Sequence, residues 1–154
     1  MKSKSNIQLE LSDRERKKLR SNKIKKTDIL EFAPDELQEL LNVPKKRAKE
    51  IYALADFQQI PPIGIKFAKD LIYLGYHKVE ELKGKSGAKL TDEYEKKKGF
   101  HTDPCVEDQF RLAVDFAESR NFSKNWWDFT NERKKYRKEF GYPKDRPKKK
   151  WTEV

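Results

Sequence analysis

Cysteine is nearly absent: Cys105 stands alone among 154 residues, so no disulfide can close within the chain. Long apolar runs are missing too; the longest are a few residues, far short of the roughly 20 that cross a bilayer. The opening Met1-Lys2-Ser3-Lys4-Ser5 is charged with no apolar stretch behind it, which argues against a secretory signal. Two histidines, His77 and His101, with one cysteine make a poor zinc ligand set. There is no P-loop and no dinucleotide fingerprint. Sustained period-two alternation is lacking, so no substantial sheet is expected. These absences point to a helical protein of the reducing cytoplasm, without cofactor, metal or membrane anchor, and not an enzyme.

Charge is plentiful, at 40% of residues and a net +10. Residues 1–27 hold ten Lys/Arg against three Asp/Glu, and residues 131–154 hold ten against four. The middle, 28–130, is slightly acidic, with sixteen basic and nineteen acidic side chains. Basic ends suggest attraction to a polyanion, most often nucleic acid; the alternative is a solvated tail that aids solubility. The reading is therefore three-part: a basic, mobile arm over 1–27, a helical domain over 28–130, and a basic, aromatic-containing tail over 131–154.

Within the arm, Ser12 and Glu15 predict a short capped helix with a thin apolar face. Pro34-Asp35-Glu36 opens the next helix, carrying Leu37, Leu40 and Leu41. Further helices are expected at about 44–56, 64–74, 78–83, 88–97 and 104–118. The last begins at Asp103 as N-cap and Pro104 as first residue, with Val106, Phe110, Ala113, Val114 and Ala117 as its stripe. Trp126, Trp127 and Phe129 are read as closing the domain. Pro143 and Pro147 predict an extended end.

The segment Ile60-Pro61-Pro62-Ile63-Gly64-Ile65-Lys66-Phe67-Ala68-Lys69 places a tight connection before a helix that ends at Gly75. Gly64 lets an oxygen approach the backbone, the first N–H groups of the helix lack partners, and Lys66 and Lys69 add charge. Val43-Pro44-Lys45-Lys46-Arg47-Ala48-Lys49 aligns without gaps on Ile63 to Lys69, twenty residues downstream. Either this is a tandem copy or two lysine-rich amphipathic helices align by chance. The expected phosphate-binding residues are Ile63, Gly64, Ile65, Lys66, Lys69, Lys45, Lys46 and Arg47.

This segment resembles the helix-hairpin-helix motif, whose hairpin reads apolar-Pro-Gly-apolar-Gly; Gly64 and Ala68 fill its last glycine and small-residue positions. Pro62 replaces the first glycine, removing an N–H and a positive φ from the turn. Leu82-Lys83-Gly84 and Asp103-Pro104-Cys105-Val106-Glu107-Asp108-Gln109-Phe110 then resemble the bacterial pathogenicity-locus family, small helix-hairpin-helix proteins often labelled mitomycin resistance proteins. The resemblance covers roughly 57–128. It implies an all-α fold and a DNA-linked role, in repair or DNA metabolism.

The function expected is sequence-independent binding of DNA, duplex or single-stranded, through the hairpin and the basic ends. The alternative is an adaptor that packs against a protein of the repair or competence machinery. A small hydrolase using Cys105 with His101, or paired carboxylates, is more remote. Cys105 is read as a small core residue, and Asp92-Glu93 and Glu107-Asp108 as solvated surface. Tyr136, Phe140, Tyr142 and Trp151 among lysines suit single-stranded nucleic acid, with a disordered tail as the alternative.

Overall fold

The computed structural model describes residues 6–154; Met1–Ser5, with the reading made on them, lie outside the described residues. The α-helices among the described residues are α1 (Asp13–Ser21), α2 (Pro34–Leu41), α3 (Lys45–Gln58), α4 (Ile65–Tyr73), α5 (Gly87–Lys98), α6 (Pro104–Ser119) and α7 (Thr130–Phe140), with 3-10 turns between α1 and α2, α4 and α5, and α6 and α7. No strand occurs among them, only an isolated parallel bridge between His101 and Lys150. The fold is all-α. Among the described residues, no helix is long and apolar enough to cross a membrane. The chain divides into two compact units, one ending at Glu81 and the other Leu82–Val154.

In the first unit, α2, α3 and α4 follow one another, and α3 packs on both neighbours. Leu37, Leu41, Ile51, Leu54, Phe57, Ile60, Ile63 and Leu71 are fully buried between them. Local chemistry sets the ends. Ser12 Oγ accepts the Glu15 N–H while Glu15 Oε1 accepts the Ser12 N–H, the capping box read from the sequence. At the end of α4 the Gly75 N–H donates to Ile72 and the Tyr76 N–H to Leu71, with Gly75 at φ +100°, where an L side chain would be strained. The Asp56 carboxylate accepts the Val79 N–H at 2.7 Å and the Gln59 amide at 2.6 Å, tying the end of α3 to the chain beyond α4.

The segment read as a thinly anchored arm packs closely. Ile7, Leu9 and Leu19 are buried. Gln58, itself buried, accepts the Gln8 N–H and donates to the Gln8 carbonyl, so its amide engages the arm as a neighbouring backbone would. The sequence shows these apolar residues, but not the buried amide fifty residues away that receives them.

In the second unit, α5 and α6 pack so closely that a Cβ at Gly87 would lie 2.8 Å from the Arg111 Cα; only glycine fits there without a shift. Asp103 caps α6 by accepting the Cys105 N–H, and Pro104 takes its first position. The part read as a tail begins instead with helix α7, and the extended chain starts at Gly141. Of the aromatic residues expected to close the domain, Phe129 is buried while Trp127 stays 56% exposed.

Candidate nucleic-acid interface

Two helix starts carry the residues singled out in the sequence. α3 begins after Pro44 and α4 after Gly64; both N-cap residues are extended, and neither supplies a capping side chain. Among the described α-helices, these two alone combine an absent cap with a first turn free of Asp and Glu. In place of acids stand Lys45 and Lys46 on α3 and Lys66 on α4, all exposed and without ion pairs among the described residues. Lysine at a helix N-terminus faces the positive end of the macrodipole and opposes stability. The arrangement suits an external anion, which would accept from the first-turn N–H groups of Lys45, Lys46, Ile65 and Lys66 and meet the ammonium groups as well.

The register of the two starts agrees residue by residue. Val43 and Ile63, Ala48 and Ala68, Ile51 and Leu71 are buried; Pro44 and Gly64, Lys46 and Lys66, Lys49 and Lys69 are exposed. The Ala48 N–H closes on the Pro44 carbonyl and the Ala68 N–H on the Gly64 carbonyl, each at 3.1 Å. The two hairpins share α3, as exit helix of the first and entry helix of the second. They overlap rather than follow one another.

Gly64 has φ −99° and ψ −174°, and a Cβ there would meet nothing within 4 Å. The backbone is open to a ligand without strain. Several expected members fit less well. Ile63 is buried and its N–H is taken by the Ile60 carbonyl at 2.9 Å. Ile65 is half-buried at the first helical position. Lys69 lies in the second turn of α4 and pairs with Glu10 at 2.5 Å.

Arg47 turns inward. Its Nε and Nη2 donate to both oxygens of Glu15 at 2.9 Å, Nη2 also reaches the Glu10 carbonyl, and Nη1 pairs with Glu50. The Arg47 bonds lower the Glu15 carboxyl to about 2, and Glu15 in turn raises the Arg47 guanidinium. Arg47 is a brace between α1 and α3 rather than a cation held out to solvent.

The second unit corrects the view of Glu107 and Asp108 as solvated. Both are buried, as is Glu95. Glu107 accepts from Arg137 Nε at 2.8 Å and Arg111 Nε at 3.0 Å; Asp108 accepts from Arg133 Nε at 2.7 Å and the Thr130 hydroxyl at 2.9 Å. Glu95 receives Arg146 through two nitrogens and the Thr102 N–H. Arg137 also bonds Asp92 at 2.9 Å. Burial holds the Asp92 carboxyl above its ordinary value despite that pair, whereas at Arg137 the carboxylates outweigh burial and raise the guanidinium. Sequence reading missed this network because it counted arginine and lysine alike as charge.

Cys105 is half-buried, and burial, followed by Asp103, pushes its thiol up, away from thiolate. Cys105→Ser is expected to lower the melting temperature slightly. Rapid stoichiometric alkylation of the folded protein would contradict this reading of the thiol. No cluster of three or more metal-ligating side chains occurs among the described residues.

Fold and site thus define a small helical protein whose paired hairpins end in cation-bearing, uncapped helix starts. A family model described as Pathogenicity locus matches residues 50–135, more than half of the chain, and the chain belongs to that family. The match takes in the Gly64 hairpin and the first half of α7, but not Pro44 or Arg146. No curated protein and no solved structure matches the chain.

Proposed function

We propose that this protein binds DNA in the cytoplasm without sequence preference, gripping phosphates at the starts of α3 and α4 in the manner of helix-hairpin-helix elements. The observation that carries the proposal is the pairing of two uncapped helix starts with lysines where stability would favour acids. Contacts of this kind reach backbone and carry no base information. The proposed role, in repair or DNA metabolism, is the one that the family resemblance implies. The neutralisation of Arg47 and Lys69 by Glu15 and Glu10 favours a second reading, an adaptor for a protein partner.

The deciding experiment places an acid at the α4 start. Gly64→Asp meets open space in a backbone conformation suited to an N-cap, so it should stabilise the fold by a few tenths of a kcal/mol. The same carboxylate accepts from first-turn N–H groups of α4 and repels phosphate, so duplex affinity should fall at least tenfold. Replacing Lys45, Lys46 and Lys66 together by Ala should reduce the salt slope by no more than about three units, one for each lost phosphate contact. Unchanged duplex binding in both variants would leave the adaptor reading in place.

A further inference from the structure

The C-terminal segment sorts its cations by kind. Arg133, Arg137 and Arg146 all point inward onto Asp108, Glu107 and Glu95. Lys134, Lys135, Lys138, Lys144, Lys148, Lys149 and Lys150 are all exposed. On α7 the arginines at i and i+4 share a face with Tyr136, while Lys134 and Lys138, a turn apart, occupy another. The lysines are therefore presented by a helix and a strap that the arginines fix in place.

The same segment carries exposed aromatic rings, as do Tyr73 and Trp127 outside it. Phe140 is 65% exposed at the end of α7 and Trp151 is 38% exposed on the strap. They terminate a connected row. Phe140 packs on Tyr136, which lies between Arg111 and Arg137. Tyr142 is sandwiched by Arg137 at 4.2 Å and Arg146 at 3.6 Å. Arg146 bonds Glu95, Glu95 bonds Thr102, and neighbouring His101 meets the Trp151 ring edge-on at 6.3 Å. Guanidinium groups already cover Tyr136 and Tyr142, so those two rings, counted earlier among stacking candidates, hold the row together. Tyr142 is as exposed as Trp151, at 38%, but has guanidinium groups against its ring, whereas Phe140 and Trp151 have no cation against theirs among the described residues.

We propose that the C-terminal segment of the second unit, α7 with the strap, is a binding site for single-stranded nucleic acid, with bases stacking on Phe140 and Trp151 and phosphates meeting the lysines next to them in the chain. Charge complementarity selects a polyanion, and exposed rings beside the cations select one whose bases are unpaired and free to stack. A duplex keeps its base faces inside. The site stands independently of the α3–α4 reading and fails independently of it.

The test uses the full chain and a fluorescein-labelled oligodeoxythymidylate of about 20 nucleotides, which is longer than a typical site. A duplex of equal length and inorganic polyphosphate serve as comparison probes. Phe140→Ala and Trp151→Ala are each expected to weaken oligodeoxythymidylate binding between about fivefold and a hundredfold, with duplex binding unchanged. Trp151→Phe keeps a stacking ring and should restore most of the affinity. Changing Lys134, Lys135 and Lys138 to Gln should lower the salt slope for the single strand. Should Trp151→Ala loosen the strap, seen as a fall in melting temperature, Phe140→Ala remains the clean arm, because that ring is mostly in solvent. Wild-type binding of polyphosphate as tight as that of the single strand overturns the proposal. So does an absence of single-strand binding, or aromatic variants that bind as well as wild type.

Discussion

Arg137→Ala is expected to destabilise the second unit by about 3–5 kcal/mol, the cost of removing one partner from a buried ion pair. The Arg137 side chain is 7% exposed and bonds Glu107, Asp92 and the carbonyls of Ala88 and Gly141. Its loss strands Glu107, at 2% exposure, with Arg111 alone, and leaves Asp92, already raised by burial, without its cation. Arg137→Lys should recover little, because a point charge cannot serve several acceptors from a planar fork. Urea denaturation of the purified variants reads the change directly, and a loss below about 1 kcal/mol would show that the network is solvated. Deleting 131–154, which the sequence invited as a way to isolate a core, should unfold the second unit, since it withdraws all three arginines from buried carboxylates. That deletion therefore cannot separate binding by the C-terminal segment from folding, and point changes to its lysines are the cleaner probe.

The second large effect lies in the first unit and depends on pH. Unfolded, Glu15 takes up a proton near 4.5; folded, bonded to Arg47 and Ser12, it does so at about 2. Its contribution is fully present above about pH 4.5, declines as pH falls through the window, and is gone below about 2. The displacement corresponds to at most about 3.4 kcal/mol. Glu15→Gln should remove most of this at pH 7 and flatten the acid limb of the stability profile between pH 2 and 5. Glutamine can still accept the Ser12 N–H, so the capping box survives and the charge is tested by itself. A thermal melting series across that range checks it; identical acid limbs for wild type and variant would assign the stabilisation elsewhere.

What the sequence disclosed and what it hid follow from distance along the chain. Ser12 with Glu15, Asp103 with Pro104, and Gly75 are signals that act within four residues, and each sits where those signals put it. The start of α4 at Gly64 was legible for the same reason. Arg47 to Glu15 spans 32 residues, Arg137 to Glu107 spans 30 and Arg146 to Glu95 spans 51. No local pattern announces pairs of that reach, so Arg47 entered the candidate site and Glu107 was assigned to the surface. One trace was present in α7: the arginines recur at i and i+4 on the face of Tyr136, with Lys134 and Lys138 elsewhere on the helix. Helical periodicity applied to cation type, rather than to hydrophobicity, would have separated the structural cations from the solvated ones.

The sharing of α3 makes that helix a ruler. Its 14 residues set the interval between the end that bears Lys45 and the turn that leads to Gly64, about 21 Å at 1.5 Å per residue. Each added or lost residue would change that interval by about 1.5 Å and swing one end about 100° around the axis relative to the other. The chain can thus tolerate drift in the connections outside these hairpins, but α3 is locked in length and phase together.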